Sequence, residues 1–166
     1  MEQVWDTVVS MHLLGADEAA LAATRDEIVA FLHHVDDVFK VSREDSELSR
    51  WQRDEIPASG ELQDVLALAG TVSVLTHGAY GVRWNGLPDP TGVVKGWAVD
   101  RAVDIAARHG VTNLVINAGG NIGTRGASGS GRPWQVVVSD PTDPPRVVLT
   151  VVGNDVSVAT TGSSAR

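Results

Sequence analysis

The 166 residues include no cysteine, which removes thiol nucleophiles, disulfides and thiolate metal sites at once. Any bound metal must therefore take oxygen or histidine ligands, and a carboxylate-rich chain favours a hard cation such as Mg²⁺. Basic residues are also scarce. Thirteen Lys and Arg face 21 Asp and Glu, a formal net charge of −8, and the basic residues are scattered among acidic ones. That pattern repels polyanions and argues against a nucleic-acid partner. Long apolar runs are missing too, so no membrane segment is expected. Met1 leads straight into Glu2, Gln3 and Asp6, without a basic stretch followed by an apolar one. No secretory signal is expected, which makes the cytoplasm the default location.

What is present is an ordinary globular composition, 43% apolar and 20% charged. At this length one domain over residues 1–166 is the expectation. Trp5 to Leu14 alternates and reads as a strand closed by Gly15. Asp17 then caps a helix in which Ile28, Phe31, Leu32, Val35 and Phe39 recur at helical spacing as far as about Lys40. Ser42 to Asp54 is polar and reads as a surface loop with one turn, in which Ser46 caps while Ser49 and Arg50 face solvent. Ser59 caps a second helix through Leu62, Val65, Leu66, Ala69 and Val72.

From His77 to Gly92 glycine and proline are dense, which resists regular structure and permits close approach of backbone to a ligand. A third helix starts near Lys95 or Gly96, buries Ala98, Ala102 and Ile105, and stops at Gly110. Further strands are expected at Leu114 to Asn117, Trp134 to Ser139, Val147 to Val152 and Val156 to Thr160. Turns at Pro141 to Pro145 and at Gly153-Asn154-Asp155 separate the last of these. Helices come early and strands late, so the fold class is α+β.

The strongest local signal is Asp89-Pro90-Thr91-Gly92-Val93-Val94-Lys95-Gly96-Trp97-Ala98-Val99-Asp100, a turn-rich loop running into a helix. Amides at such a helix start meet phosphate oxygens, and Lys95 adds positive charge; Asp89 and loop carbonyls can face a divalent cation. Taken alone, the same residues also suit a capped turn and a solvated lysine. Asn117-Ala118-Gly119-Gly120-Asn121-Ile122-Gly123 follows a buried strand as a dinucleotide fingerprint would. The glycine- and serine-rich stretch after it forbids the helix that such a site needs. It reads as a tight turn between strands, or as paired glycines that let backbone approach a planar ring or a phosphate, with Asn117 or Asn121 as donor. The histidines at 12, 33, 34, 77 and 109 show no metal-ligand spacing. His77 alone, beside the glycine-rich loop, is kept as a site candidate.

In order along the chain, seven segments resemble the ApbE family of FAD:protein FMN transferases. They are Asp6-Thr7, Asp45 to Arg50, Gly78-Ala79-Tyr80, Val94 to Asp100, Asn117 to Gly120, Pro133-Trp134 with Asp140-Pro141, and Val158 to Gly162. The resemblance implies a single T-fold-like α+β domain, with helices packed on a mainly antiparallel sheet. It implies Mg²⁺-dependent transfer of FMN from FAD to a Ser or Thr of an acceptor flavoprotein, with release of AMP. Carried over by position, Ala79, Tyr80 and Gly81 contact the flavin nucleotide, Asp89 and Lys95 bind FAD, and the Gly92 carbonyl is a metal ligand. Trp51 or Gln52, together with Trp5, flanks the isoalloxazine, while Asn117, Gly119 and Gly120 line the cofactor.

Three positions depart from the family pattern: Gln52 stands for an Asn, Gly81 for an Asp and Asn121 for an Asp. The family pattern also continues past its Ala-Thr-Ser-Gly-like strand into a His, an Asp-Pro-x-Thr-Gly segment, and a later Asp and Thr that hold metal. These do not follow Arg166, so the chain reads as a C-terminally incomplete form whose catalytic residues stay unassigned. The alternative function is a catalytically incomplete module that binds FAD.

Overall fold

The computed structural model describes residues 1–5 and 7–160. Asp6, Thr161 and Gly162, which belong to the first and last family-like segments, lie outside the described residues. The elements are β1 (Glu2–Val4), β2 (Thr7–Leu14), α1 (Glu18–Phe39), α2 (Glu47–Gln52), α3 (Gly60–Leu75), β3 (Arg83–Trp84), β4 (Leu87–Pro88), α4 (Thr91–Arg108), β5 (Asn113–Ala118), β6 (Asn121–Arg125), β7 (Trp134–Asp140), β8 (Asp143–Gly153) and β9 (Ser157–Ala159). Every strand pair described is antiparallel, as the α+β expectation requires. The chain divides into two compact units. One is Ala30–Ala98; the other joins Met1–Val29 to the chain from Val99 onward.

In the second unit a five-stranded sheet runs in the order β1-β2-β5-β6-β9. Alternation decides its buried face: Leu114, Ile116 and Ala118 are fully buried on β5, and Val9 faces Ala118 across the ladder. Side chains of period 2 put this whole set on one side of the sheet. Part of that side is covered by the later turns of α4, because a Cβ on Gly123 would lie 2.6 Å from Val99 and 3.2 Å from Val103. Glycine at 123 is what lets helix and strand approach so closely. At the exposed end of α4, Glu27 of α1 accepts from Arg108 at 2.9 Å and pairs with His109 at 2.5 Å. These two hydrogen bonds, the His109 bond first, hold the Glu27 carboxyl below its ordinary range.

In the Ala30–Ala98 unit, Leu32, Val35, Val38 and Phe39 of α1 are buried, as are Leu48, Leu62, Val65 and Ala69. Val94 and Ala98 of α4 join this core. The sequence has only two phenylalanines, and both, Phe31 and Phe39, sit with ring centroids 5.9 Å from Trp97. Tilted and edge-on pairs of this kind add to simple area burial.

The caps follow the sequence. Asp17 Oδ1 accepts from the Ala20 amide at 2.8 Å, and Ser59 Oγ accepts from the Leu62 amide at 3.2 Å. Gly110 ends α4 at φ 75°, where its freedom to adopt a left-handed backbone is needed.

Other elements correct the sequence reading. Trp5 is not the first residue of a strand but stands at φ 56° after β1. The Ser42–Asp54 stretch contains α2, capped by Ser46 as expected, yet Ser46, Leu48 and Ser49 are buried, so that of Ser49 and Arg50 only Arg50 faces solvent. Ser49 is drawn inward because its hydroxyl sits 2.9 Å from Ser46 Oγ and donates to the Val41 carbonyl. The His77–Gly92 stretch is not wholly irregular: β3 and β4 pair around Asn85-Gly86, both at positive φ. Asn-Gly is the dipeptide that a two-residue hairpin turn prefers. Helix α4 begins at Thr91, four residues ahead of Lys95, because Asp89 and Pro90 already supply a start. Strand β6 was hidden behind its glycines, and Pro144 and Pro145 lie within β8 instead of in a turn. Proline is tolerated there because β8 pairs on one side only among the described residues, leaving an edge that needs no donor.

Leu114→Ala should lose about 2–5 kcal/mol in urea denaturation, the usual cost of emptying a closed core position. Because the Glu27 carboxyl is depressed, its stabilising effect is present above the ordinary glutamate range and lost as pH falls through the folded value. Glu27→Gln should therefore melt below the wild type at pH 7, with the gap closing under acid. A gap independent of pH would contradict this.

Candidate functional site

The Ala30–Ala98 unit gathers most of the expected cofactor residues around the start of α4. Helix α3 ends at Thr76, whose hydroxyl accepts from the Tyr80 amide at 3.1 Å, so the turn carrying Ala79 and Tyr80 is fixed to the helix end. The Tyr80 ring then brings its Cε2 edge against the backbone at Gly92, where a Cβ would come within 2.6 Å of Cε2. Any side chain at 92 would expel the ring. The phenol oxygen is buried with no hydrogen-bond partner among the described residues. Burial first, and the nearby Asp89 carboxylate second, push its pKa up, so the phenol stays protonated.

Asp89 Oδ1 accepts from the Thr91 amide at 2.9 Å, and the Val93 amide donates to the Pro90 carbonyl at 2.9 Å. The first turn of α4 thus caps itself in part, the plainer of the two readings of this loop. The Gly92 amide has no such partner among the described residues, and Lys95, half-buried one turn on, makes no ion pair or hydrogen bond with them. A helix start with an uncommitted amide and an unpaired lysine attracts phosphate oxygens.

Gln52, at the end of α2, donates to the Pro88 carbonyl at 2.6 Å. It therefore secures the segment that leads to Asp89. Trp51 beside it is half-buried, Ala79 and Gly81 are exposed, and so is His77 on the turn after α3.

The remaining expected residues belong to the sheet unit. Asn117 Oδ1 accepts from the Gly120 amide at 3.0 Å, which locks the Gly119-Gly120 turn between β5 and β6. Both glycines have positive φ; a Cβ on Gly119 would meet Thr7 Oγ1 at 2.7 Å, and one on Gly120 would collide with Thr160 Oγ1. The tight-turn reading is correct, and Thr7 and Thr160, which belong to the first and last family-like segments, are its walls, a role that sequence reasoning did not give them. Asn121 is turned to the Ala118 carbonyl. Trp5 carries a buried indole nitrogen without a partner among the described residues. On the face of β2 and β5, Ser10, Met11, His12, Val115 and Asn117 line a pocket of about 270 Å³. His12 meets the Trp134 ring edge-on at 6.4 Å. Ser10 and His12 are two positions apart in an alternating strand, a period-2 signal that marks a shared face but not a pocket.

The described residues do not supply a Mg²⁺ site. Mg²⁺ wants near-octahedral oxygen ligands, whereas one Asp89 oxygen is engaged with Thr91 and the Gly92 carbonyl lies inside the first turn of a helix. No group of three or more His, Asp or Glu suited to a metal occurs among the described residues.

The pattern of the ApbE family matches residues 87–166, beginning just ahead of the Asp89 loop. The resemblance to the ApbE family is borne out. The chain is 23% identical to the FAD:protein FMN transferase of Klebsiella pneumoniae (strain 342), over 92% of this chain and 60% of that protein. It is 28% identical to the FAD:protein FMN transferase of Escherichia coli (strain K12), over 66% of this chain and 33% of that protein. The chain thus spans less than two thirds of either relative's length. In fold, it superposes on the ApbE protein of Thermotoga maritima with a TM-score of 0.84 at 19% identity, covering 99% of this chain and 70% of that one. The flavin transferase ApbE of Vibrio cholerae gives 0.80 at 22% identity, covering 97% and 70%. The ApbE-like fold accounts for the mixed helices and antiparallel sheet. Among the described residues no helix is long and apolar enough to cross a membrane.

Tyr80→Phe should melt at or above the wild-type temperature, because it removes a buried hydroxyl that lacks a partner. A loss of more than about 1 kcal/mol would mean that the hydroxyl is hydrogen-bonded after all.

Proposed function

We propose that this chain binds FAD at the start of α4 and transfers the FMN moiety to a Ser or Thr hydroxyl of an acceptor protein, releasing AMP. The observation that carries this reading is the α4 start itself: Tyr80 packed on a side-chain-free Gly92, beside an unpaired Lys95 and an uncommitted amide. Such a surface suits a diphosphate, whose charge is spread over several oxygens. The names of the relatives support the choice of FAD over other dinucleotides.

In the transfer, the acceptor hydroxyl oxygen forms a bond to the FMN phosphorus and the P–O bond to AMP breaks. AMP leaves with the electron pair, and the hydroxyl proton passes to solvent. Negative charge grows on the bridging oxygen as that bond lengthens, and Lys95 with the helix-start dipole stabilises it. Asp89 holds the first turn in place through Thr91, so its part is to shape the anion site. Trp51 and Gln52 at the end of α2, with Ala79 and Gly81 beside Tyr80, are the flanking contacts for the flavin nucleotide. Trp5, Asn117, Gly119 and Gly120 are proposed as cofactor contacts on the same grounds of family resemblance.

The test is incubation of the chain with FAD and a Ser- or Thr-containing acceptor segment, with and without added Mg²⁺, followed by intact-mass measurement. The expected outcome is an acceptor heavier by one FMN together with free AMP, lost at least tenfold in Lys95→Ala, on the order of the loss of one oriented electrostatic contact. Raised melting temperature with FAD but no adduct would favour the FAD-binding module. No response to FAD in either assay would sink both readings.

A further inference from the structure

The β3–β4 hairpin stands out on the Ala30–Ala98 unit because it exposes the wrong residues for a solvent loop. Trp84 is 69% exposed and Leu87 is 46% exposed, and the two are direct cross-strand partners. Partners across an antiparallel pair point to the same face, so indole and leucine form one apolar platform. An indole left in water forfeits most of the burial that makes tryptophan worth placing.

The platform is also stiff and well placed. Its turn is set by Asn85 and Gly86 at positive φ, and Arg83 Nη1 donates to the Gly86 carbonyl at 2.5 Å. Its base is closed by the Asp89 amide donating to the Val82 carbonyl at 2.8 Å, and Gln52 holds Pro88. Trp84 thus stands two strand residues, roughly 7 Å, from the Asp89 clamp. That is the scale of the sugar or ribityl chain that separates a phosphate from its ring in a dinucleotide. Arg83, on the neighbouring strand position, adds a cation on the same short hairpin.

We propose that Trp84, braced by Leu87, is a stacking platform for a planar ring of the dinucleotide whose diphosphate sits at the start of α4. This rests on the reading of that helix start as an FAD site. Indole faces stack readily on flat heteroaromatic rings, a contact that needs a fixed, exposed aromatic and little else. The platform would make the site prefer a ligand carrying both diphosphate and ring over inorganic diphosphate.

Isothermal titration of the wild type, Trp84→Ala and Trp84→Phe with FAD, ADP and FMN tests it, with melting temperature as the control for folding. Trp84→Ala should weaken FAD about tenfold, the usual scale for losing one stacking aromatic, while Trp84→Phe keeps most of the affinity. A matching loss with ADP places the adenine on the indole, and a matching loss with FMN places the isoalloxazine there; either supports the proposal. FAD affinity unchanged in Trp84→Ala overturns it, including the case in which only transfer to the acceptor falls, since that makes Trp84 an acceptor contact. A wild type that does not bind FAD would instead remove the functional reading on which the proposal rests.

Discussion

The contact between the Tyr80 ring and the bare backbone at Gly92 is the constraint around which the candidate site is organised. Gly92 lies in the first turn of α4, where most residues would present a Cβ. Its absence lets the edge of an aromatic ring come up against the helix start. The ring can hold this position because Thr76 fixes the Tyr80 amide at the end of α3. Asp89 and Pro90 set the first turn from the other direction. Two local devices, a helix C-terminus and a helix N-terminus, are thereby held to one geometry by a single missing methyl group.

A second pair of glycines does similar work in the sheet unit. Gly119 and Gly120 turn β5 into β6 with left-handed backbones, and Thr7 and Thr160 occupy the space that side chains there would need. A dinucleotide fingerprint uses glycines to bring a helix start to a phosphate; here the same residue type turns one strand of a hairpin into the next.

Long elements with a clear period were legible. Ile28, Leu32, Val35 and Phe39 marked α1, Ser59 marked the start of α3, and Gly110 marked the end of α4, because capping and amphipathic spacing are local facts about neighbouring residues. The Asn85-Gly86 hairpin was equally local, yet it was masked by the surrounding glycine and proline, whose density suggests disorder unless the paired residues on either side are weighed. Strand β6 was missed for a related reason: Gly123 weakens strand propensity, and only packing against Val99 and Val103 explains its presence.

The sequence by itself determined the α+β class, the helix caps and the segments that resemble the ApbE family, since each depends on residues close together in the chain. Tertiary structure alone decided that Ser46 and Ser49 are buried, that Tyr80 covers Gly92, that Gln52 holds Pro88 and that Trp84 stands exposed on a stiff hairpin. These are relations between residues as much as 36 positions apart. Periodicity and capping carry no information about them, because burial and close approach are set by which surfaces the folded chain brings face to face.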